Sequence, residues 1–358
     1  MLRNLRIGFF VCLTAAFVVQ CNLAEVKAQS YIFAGESNGL DLIAHPIGYN
    51  GTGGTLTVTV GIDPTSVNAA DMVISTQNVV NTWNAKQATI GNISFGLPDG
   101  DFDFESVLLH EVGHSIGLGH VNLGSQAGVS GSNTDFSYSS NGADNSFTFN
   151  AGVDGVIGSS DDIRGDDDNL NYFNSLNDPF VLDPSGVIDS TTYSRDLADL
   201  PGGHTYAANS SRDVAALLGY GQTEGVMQQG TFNNEIQRAL AASDVAGVRY
   251  AESGIDEIAG TADDYELVLE YVTWDGLVPS RPDIVIDFDA SQTGFAVSQS
   301  GGTFIGSGHI AITSNSVFFN PNFNWHFNPV LTVPEPGHFA ALFIVGLVTA
   351  TRRRKSKV

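Results

Sequence analysis

Basic residues are scarce in this chain: 15 Lys and Arg stand against 39 Asp and Glu, a formal charge of −24. Nucleic acid, whose phosphates are gripped chiefly by Lys and Arg, is thereby excluded as a partner. Cysteine is scarcer still. The only two, Cys12 and Cys21, lie near the amino terminus, so the rest of the chain has no disulfide and must rely on a sizeable core, helped by any cations it binds. A thiolate able to block a metal site is missing with them. Long apolar runs are absent as well: Ile7–Val19 spans 13 residues and Phe339–Ala350 spans 12, against the roughly 20 of a membrane-crossing helix.

Both ends carry signs of processing. Arg3 and Arg6 precede the run from Ile7, and Val26-Lys27-Ala28 offers a small-residue cleavage site, so residues 1–28 are expected to be a signal peptide. The other readings are a membrane anchor and a lipoprotein at Cys21, for which Gln20 is a poor preceding residue. At the far end Val333-Pro334-Glu335-Pro336-Gly337 leads into the second apolar run, and Arg352, Arg353, Arg354, Lys355 and Lys357 close the chain, in keeping with the charge rule for membrane orientation. Residues 334–358 resemble the PEP-CTERM sorting signal of Gram-negative bacteria. That resemblance implies an exosortase-like processing enzyme as a partner, transient membrane association through residues 339–351, and release to the cell surface or the exterior. A permanent anchor is the other reading. Between the two ends remain 7 basic and 37 acidic residues, a formal charge of −30.

What the chain does have is His110-Glu111-Val112-Gly113-His114-Ser115-Ile116-Gly117-Leu118-Gly119-His120. On a helix His110 and His114 lie one turn apart on one face, so both imidazoles reach one ion while Glu111 flanks its open coordination position. Gly117 permits the sharp turn that ends the helix and swings His120 back as third ligand. Three neutral imidazoles suit Zn2+, and Glu111 is the base for an attacking water. A purely structural zinc needs no such glutamate and usually has a fourth protein ligand.

The expected fold class is α+β: a catalytic domain over residues 29–254 and a small β-rich module over 255–333. Leu56–Val60 alternates as a strand. Residues 69–86 follow as an amphipathic helix burying Met72, Val79, Val80 and Trp83, then a strand over 88–95. Phe102, Phe104, Val107, Leu108 and Val112 provide apolar spacing into the histidine helix. Residues 121–189 form a long loop rich in Gly, Ser, Asn and Asp, a length that marks function or disorder. Within it Asp154, Asp161, Asp162 and Asp166 offer the hard oxygens that suit Ca2+, a solvated acidic loop being the equal alternative. A helix over 211–218, a glycine-flanked turn at Met227 and a helix over 241–250 complete the domain. In the module, 283–288, 294–297 and 309–313 run as short strands of a sandwich. Its His309, Trp325 and His326, with His338 beyond it, offer a glycan- or matrix-binding face, against which buried packing is the stronger reading.

The residues His110, Glu111, His114, Gly117 and His120 resemble the pattern of the metzincin metallopeptidases, and 108–120 is most similar to the matrixin branch. The resemblance covers roughly residues 55–120 and 190–252. It implies a twisted mixed sheet beside a zinc-binding helix, a methionine turn beneath the metal supplied by Met227, and a polypeptide substrate extended along an edge strand, matched to 93–95. Three features depart from the family. Val121 replaces the polar residue that commonly follows the third histidine; 107 residues separate His120 from Met227; and no tyrosine follows the methionine as an oxyanion donor. The resulting expectation is a zinc endopeptidase acting on extracellular or surface proteins. A non-catalytic surface or matrix protein on the same fold is the alternative.

Overall fold

The structure, a computed structural model, describes residues 33–37, 40–119, 221–228, 230–292 and 294–328, with a few short paired strands elsewhere. The unit carrying every element below ends at Phe327, and residues from 328 make a second.

β1 (Phe33–Ser37) and β2 (Leu40–His45) form an antiparallel pair, and β3 (Gly54–Ile62) follows. Val58, Val60 and Ile62 of β3 alternate into the core. α1 (Ala69–Ala85) buries Met72, Thr76, Val79, Val80 and Trp83, a stripe at helical spacing. Lys86, in the left-handed region at φ 44°, ends it and reaches Glu252 as an ion pair.

The strand expected over 88–95 shrinks to β4 (Ser94–Phe95). Its backbone is committed elsewhere: Thr89 N–H donates to Leu240 and Ile93 N–H to Gln222. β5 (Phe102–Asp103) then runs straight into α2 (Phe104–Ser115), the histidine helix. Asp103 caps that helix, accepting from Ser106 N–H at 3.0 Å, and Arg238 clamps the same carboxylate through Nε at 2.8 Å. Every residue of α2 is buried, the polar ones together with the apolar ones. After β6 (Glu235–Ile236), paired with β4, comes α3 (Ala242–Glu252).

The remaining strands are β7 (Tyr265–Tyr271), β8 (Ile284–Phe288), β9 (Ala296–Gly306), β10 (His309–Phe319) and β11 (Trp325–His326). Here the structure corrects the division at residue 255. β7 and β8 flank β3 on either side as parallel neighbours, and the 7-stranded sheet runs β7-β3-β8-β10-β2-β1, with β9 also on β10. Four of the seven strands, β7, β8, β9 and β10, thus come from the stretch assigned to a separate module. The parallel strand β3 is buried between neighbours that come from far along the chain, a pairing that no local pattern encodes.

β10 shares one edge between two partners, β2 along His309–Ala311 and β8 along Asn315–Phe319, while β9 runs antiparallel along the other. Among the described residues no strand covers the outer edge of β9. The chain then returns to the histidine helix. β11 pairs in parallel with β5, and Trp325 sits in an aromatic cluster with Phe102, Phe104, Phe288, Phe295 and Phe319. No helix among the described residues is long and apolar enough to cross a membrane.

Candidate active site

His110 and His114 project from successive turns of α2, and their rings stand nearly perpendicular, at 88°. Each Nδ1 meets a carbonyl oxygen, that of Val226 at 2.6 Å for His110 and that of Leu118 at 2.7 Å for His114. A carbonyl only accepts, so each Nδ1 carries the proton. The two Nε2 atoms lie 2.9 Å apart, so both rings present the nitrogen opposite the carbonyl contact to one common point. A metal ion placed there would be reached by both rings, and backbone partners at Nδ1 are the usual means by which metal-binding imidazoles are oriented. Burial lowers the His110 pKa to about 4, partly offset by the Val226 carbonyl, so the ring is neutral and able to ligate at pH 7.

Glu111 lies between them in sequence and is completely buried, with neither carboxylate oxygen meeting a hydrogen-bond partner. Desolvation pushes its pKa up to about 8, and the nearby backbone N–H of Ser298 on β9 draws it partway back. A carboxylate kept from water without a partner is costly. A dication at the histidines would supply the missing charge and draw the pKa down.

Gly117 turns the chain at φ +111°, and a β-carbon there would fall 2.5 Å from the Ala44 carbonyl oxygen. The turn brings Leu118 under His114. His120 itself lies outside the described residues, as do Val121, Asp154, Asp161, Asp162 and Asp166 and the helix expected at 211–218.

Met227 is fully buried against α2. A β-carbon on Gly113 would come within 2.3 Å of its sulfur and 3.0 Å of Trp83 Cζ2, so the small residue inside the motif is what lets the methionine approach. The turn around it is held by a residue that the sequence reading did not single out. The Asp244 carboxylate, fully buried on α3, accepts backbone N–H groups of Val226 at 2.9 Å, Met227 at 3.1 Å and Ala241 at 2.7 Å. Burial still wins over these three donors and raises its pKa to about 6. Its signal in the sequence is a lone acidic residue in the otherwise small, apolar start of the closing helix.

The segment matched to the substrate strand, 93–95, is not an edge of the sheet. β4 pairs instead with β6, and the edge strand that passes Glu111 is β9. Two further expectations meet a plain answer. His309 is buried, its Nδ1 2.9 Å from His45 Nε2, and Trp325 donates to the Asn320 carbonyl inside the aromatic cluster.

One more group of metal-capable side chains is described. Asp256, Asp263 and Asp264 bring carboxylate oxygens within 4.8 Å of one another. The hydroxyl of Thr261 lies 2.8 to 3.2 Å from one oxygen of each. Their spacing, Gly254-Ile255-Asp256 then Gly260-Thr261-Ala262-Asp263-Asp264, repeats that of Gly152-Val153-Asp154 and Gly158-Ser159-Ser160-Asp161-Asp162. Such oxygens can hold a hard cation.

Residues 54–157 match the model of the family described as Peptidase M66. The matched stretch begins at β3 and takes in α1, α2 and the whole histidine motif. It supports assignment of the chain to the metallopeptidases. No curated protein and no solved structure matches the chain.

Proposed function

We propose that this protein is a zinc-dependent endopeptidase that cleaves extracellular or surface proteins. The observation carrying the proposal is the pair of Nε2 atoms 2.9 Å apart, each with its opposite nitrogen bound to a carbonyl, beside the unpartnered carboxylate of Glu111. His110, His114 and, from the sequence, His120 would hold the metal. Zinc supplies Lewis acidity, polarising the scissile carbonyl and making a water acidic near neutral pH.

The chain's own residues do the rest. A Glu111 carboxylate oxygen accepts the proton of the attacking water and returns it to the leaving nitrogen. Met227 floors the histidine pair, and Val226 and Leu118 fix the ring tautomers. β9 offers its outer edge to an extended polypeptide, whose backbone pairs there with little demand on side chains. We further propose export through residues 1–28 and surface sorting or release through 334–358, on the residue patterns alone.

Metal analysis of the purified chain, joined to cleavage of casein with and without a chelator, tests the reading. Bound zinc with chelator-sensitive, zinc-restored cleavage supports it. Bound zinc without cleavage of casein or other unfolded proteins favours a non-catalytic surface protein.

A further inference from the structure

The last turn of α2 meets the sheet through polar atoms. Nearer its start the helix buries Phe104, Leu108 and Val112, an apolar surface that resists separation but has no direction with which to resist sliding. At Ser115 three buried side chains from three elements converge: Ser115, Ser298 of β9 and Asn315 of β10. Ser115 Oγ lies 3.0 Å from Ser298 Oγ and 3.1 Å from Asn315 Oδ1, and Ser298 Oγ lies 3.3 Å from that same Oδ1. Asn315 Nδ2 donates to the Ser115 carbonyl at 2.9 Å, in the helix turn where carbonyls lack intrahelical donors. The amide therefore has one sense only, since turned over it would set oxygen against oxygen.

This cluster is tied to the residue that carries the base. Ser115 Oγ is 3.0 Å from the Glu111 carbonyl, one turn back along the helix. Ser298 takes part through its hydroxyl, and the backbone N–H of the same residue is close enough to lower the Glu111 pKa. Directional bonds thus join the helix that carries the base to the strand beside that base. Buried, satisfied polar groups of this kind select one register at a cost that apolar packing would avoid.

We propose that Ser115, Ser298 and Asn315 are positioning residues that lock α2 in register on β9 and β10 and so hold the Glu111 carboxylate where it meets the attacking water. The proposal rests on the peptidase reading above. A misplacement of about 1 Å can cost a catalytic group on the order of 100-fold in rate.

The test uses the zinc-loaded chain and quenched fluorescent casein. Ser115→Ala and Ser298→Ala are each expected to keep full zinc content and to lower kcat about five- to tenfold while KM stays within about twofold. Ser298→Thr, which keeps the hydroxyl, is expected to restore most of the rate. Unchanged kcat in both alanine variants, or a loss confined to KM, overturns the proposal. A second readout needs no activity. In the metal-free chain, hydrogen exchange of amides 111–118 is expected to quicken about tenfold in either alanine variant, and unchanged exchange overturns the register lock. Wild-type protein that binds zinc but cleaves nothing would sink the peptidase reading instead, leaving exchange to decide the lock.

Discussion

The sulfur of Met227 occupies the space beside Gly113 so closely that a β-carbon on the glycine would lie 2.3 Å from it. The helix that carries the histidines and the turn that supports them are therefore fitted to one another at a single pair. Gly113→Ala is expected to lose about 1–3 kcal/mol of stability through overpacking. Adding Met227→Ala should return part of that loss, because the two residues share one space. Urea denaturation of the single and double variants measures the coupling, and strictly additive losses would argue against the fit.

Asp244 gives a pH prediction whose sign follows from burial. Its folded pKa is raised from 3.8 to about 6, so the folded chain binds a proton that the unfolded chain has already released. Its contribution is present in full below pH 3.8 and is lost as pH rises through 6. The stability of wild type relative to Asp244→Asn should accordingly fall between about pH 4 and pH 6, by about 3 kcal/mol at most. A difference that stays constant or grows with pH would contradict the burial argument.

Arg238 and Asp103 join the helix N-terminus to the segment before α3. Asp103 is buried, at 1% side-chain exposure, whereas Arg238 keeps 28%. Removing the guanidinium strands a buried charge, so Arg238→Met is expected to cost about 2–4 kcal/mol. Asp103→Asn in the same background should cost little more, since the charge left behind is then gone. Chemical denaturation of both variants and their combination checks this.

Much of the site was legible because its elements are local. The spacing of Met72, Val79, Val80 and Trp83 placed α1 within one residue of its end, and β3 extends the alternation of Leu56–Val60 by two residues at each end. The histidine spacing and the glycines around it described α2 and the turn after it. Sheet assembly was not legible. Gly54 pairs with Tyr265 and Val60 with Ile284, and nothing in either strand's own pattern names a partner so distant. The same limit hid that the strands after residue 255 join the sheet of β3 and that 93–95 is not an edge of it.

The positioning residues were hidden for a different reason. Ser298 and Asn315 sit in runs of Ser, Gln, Thr and Asn that look solvent-facing, and only the packing of α2 against them shows that they are buried. Asp244 was hidden in the same way, its three backbone donors arriving from a turn and the residue before the helix. Polar residues that serve a site from beneath resemble surface residues until the fold covers them.

Glu111→Gln tests the central claim most directly. The amide keeps the shape of the side chain but accepts no proton, so the variant is expected to fold, to bind as much zinc as wild type, and to lose casein cleavage by about 100-fold or more. Wild-type rates of cleavage in a folded, zinc-loaded Glu111→Gln protein would contradict the account.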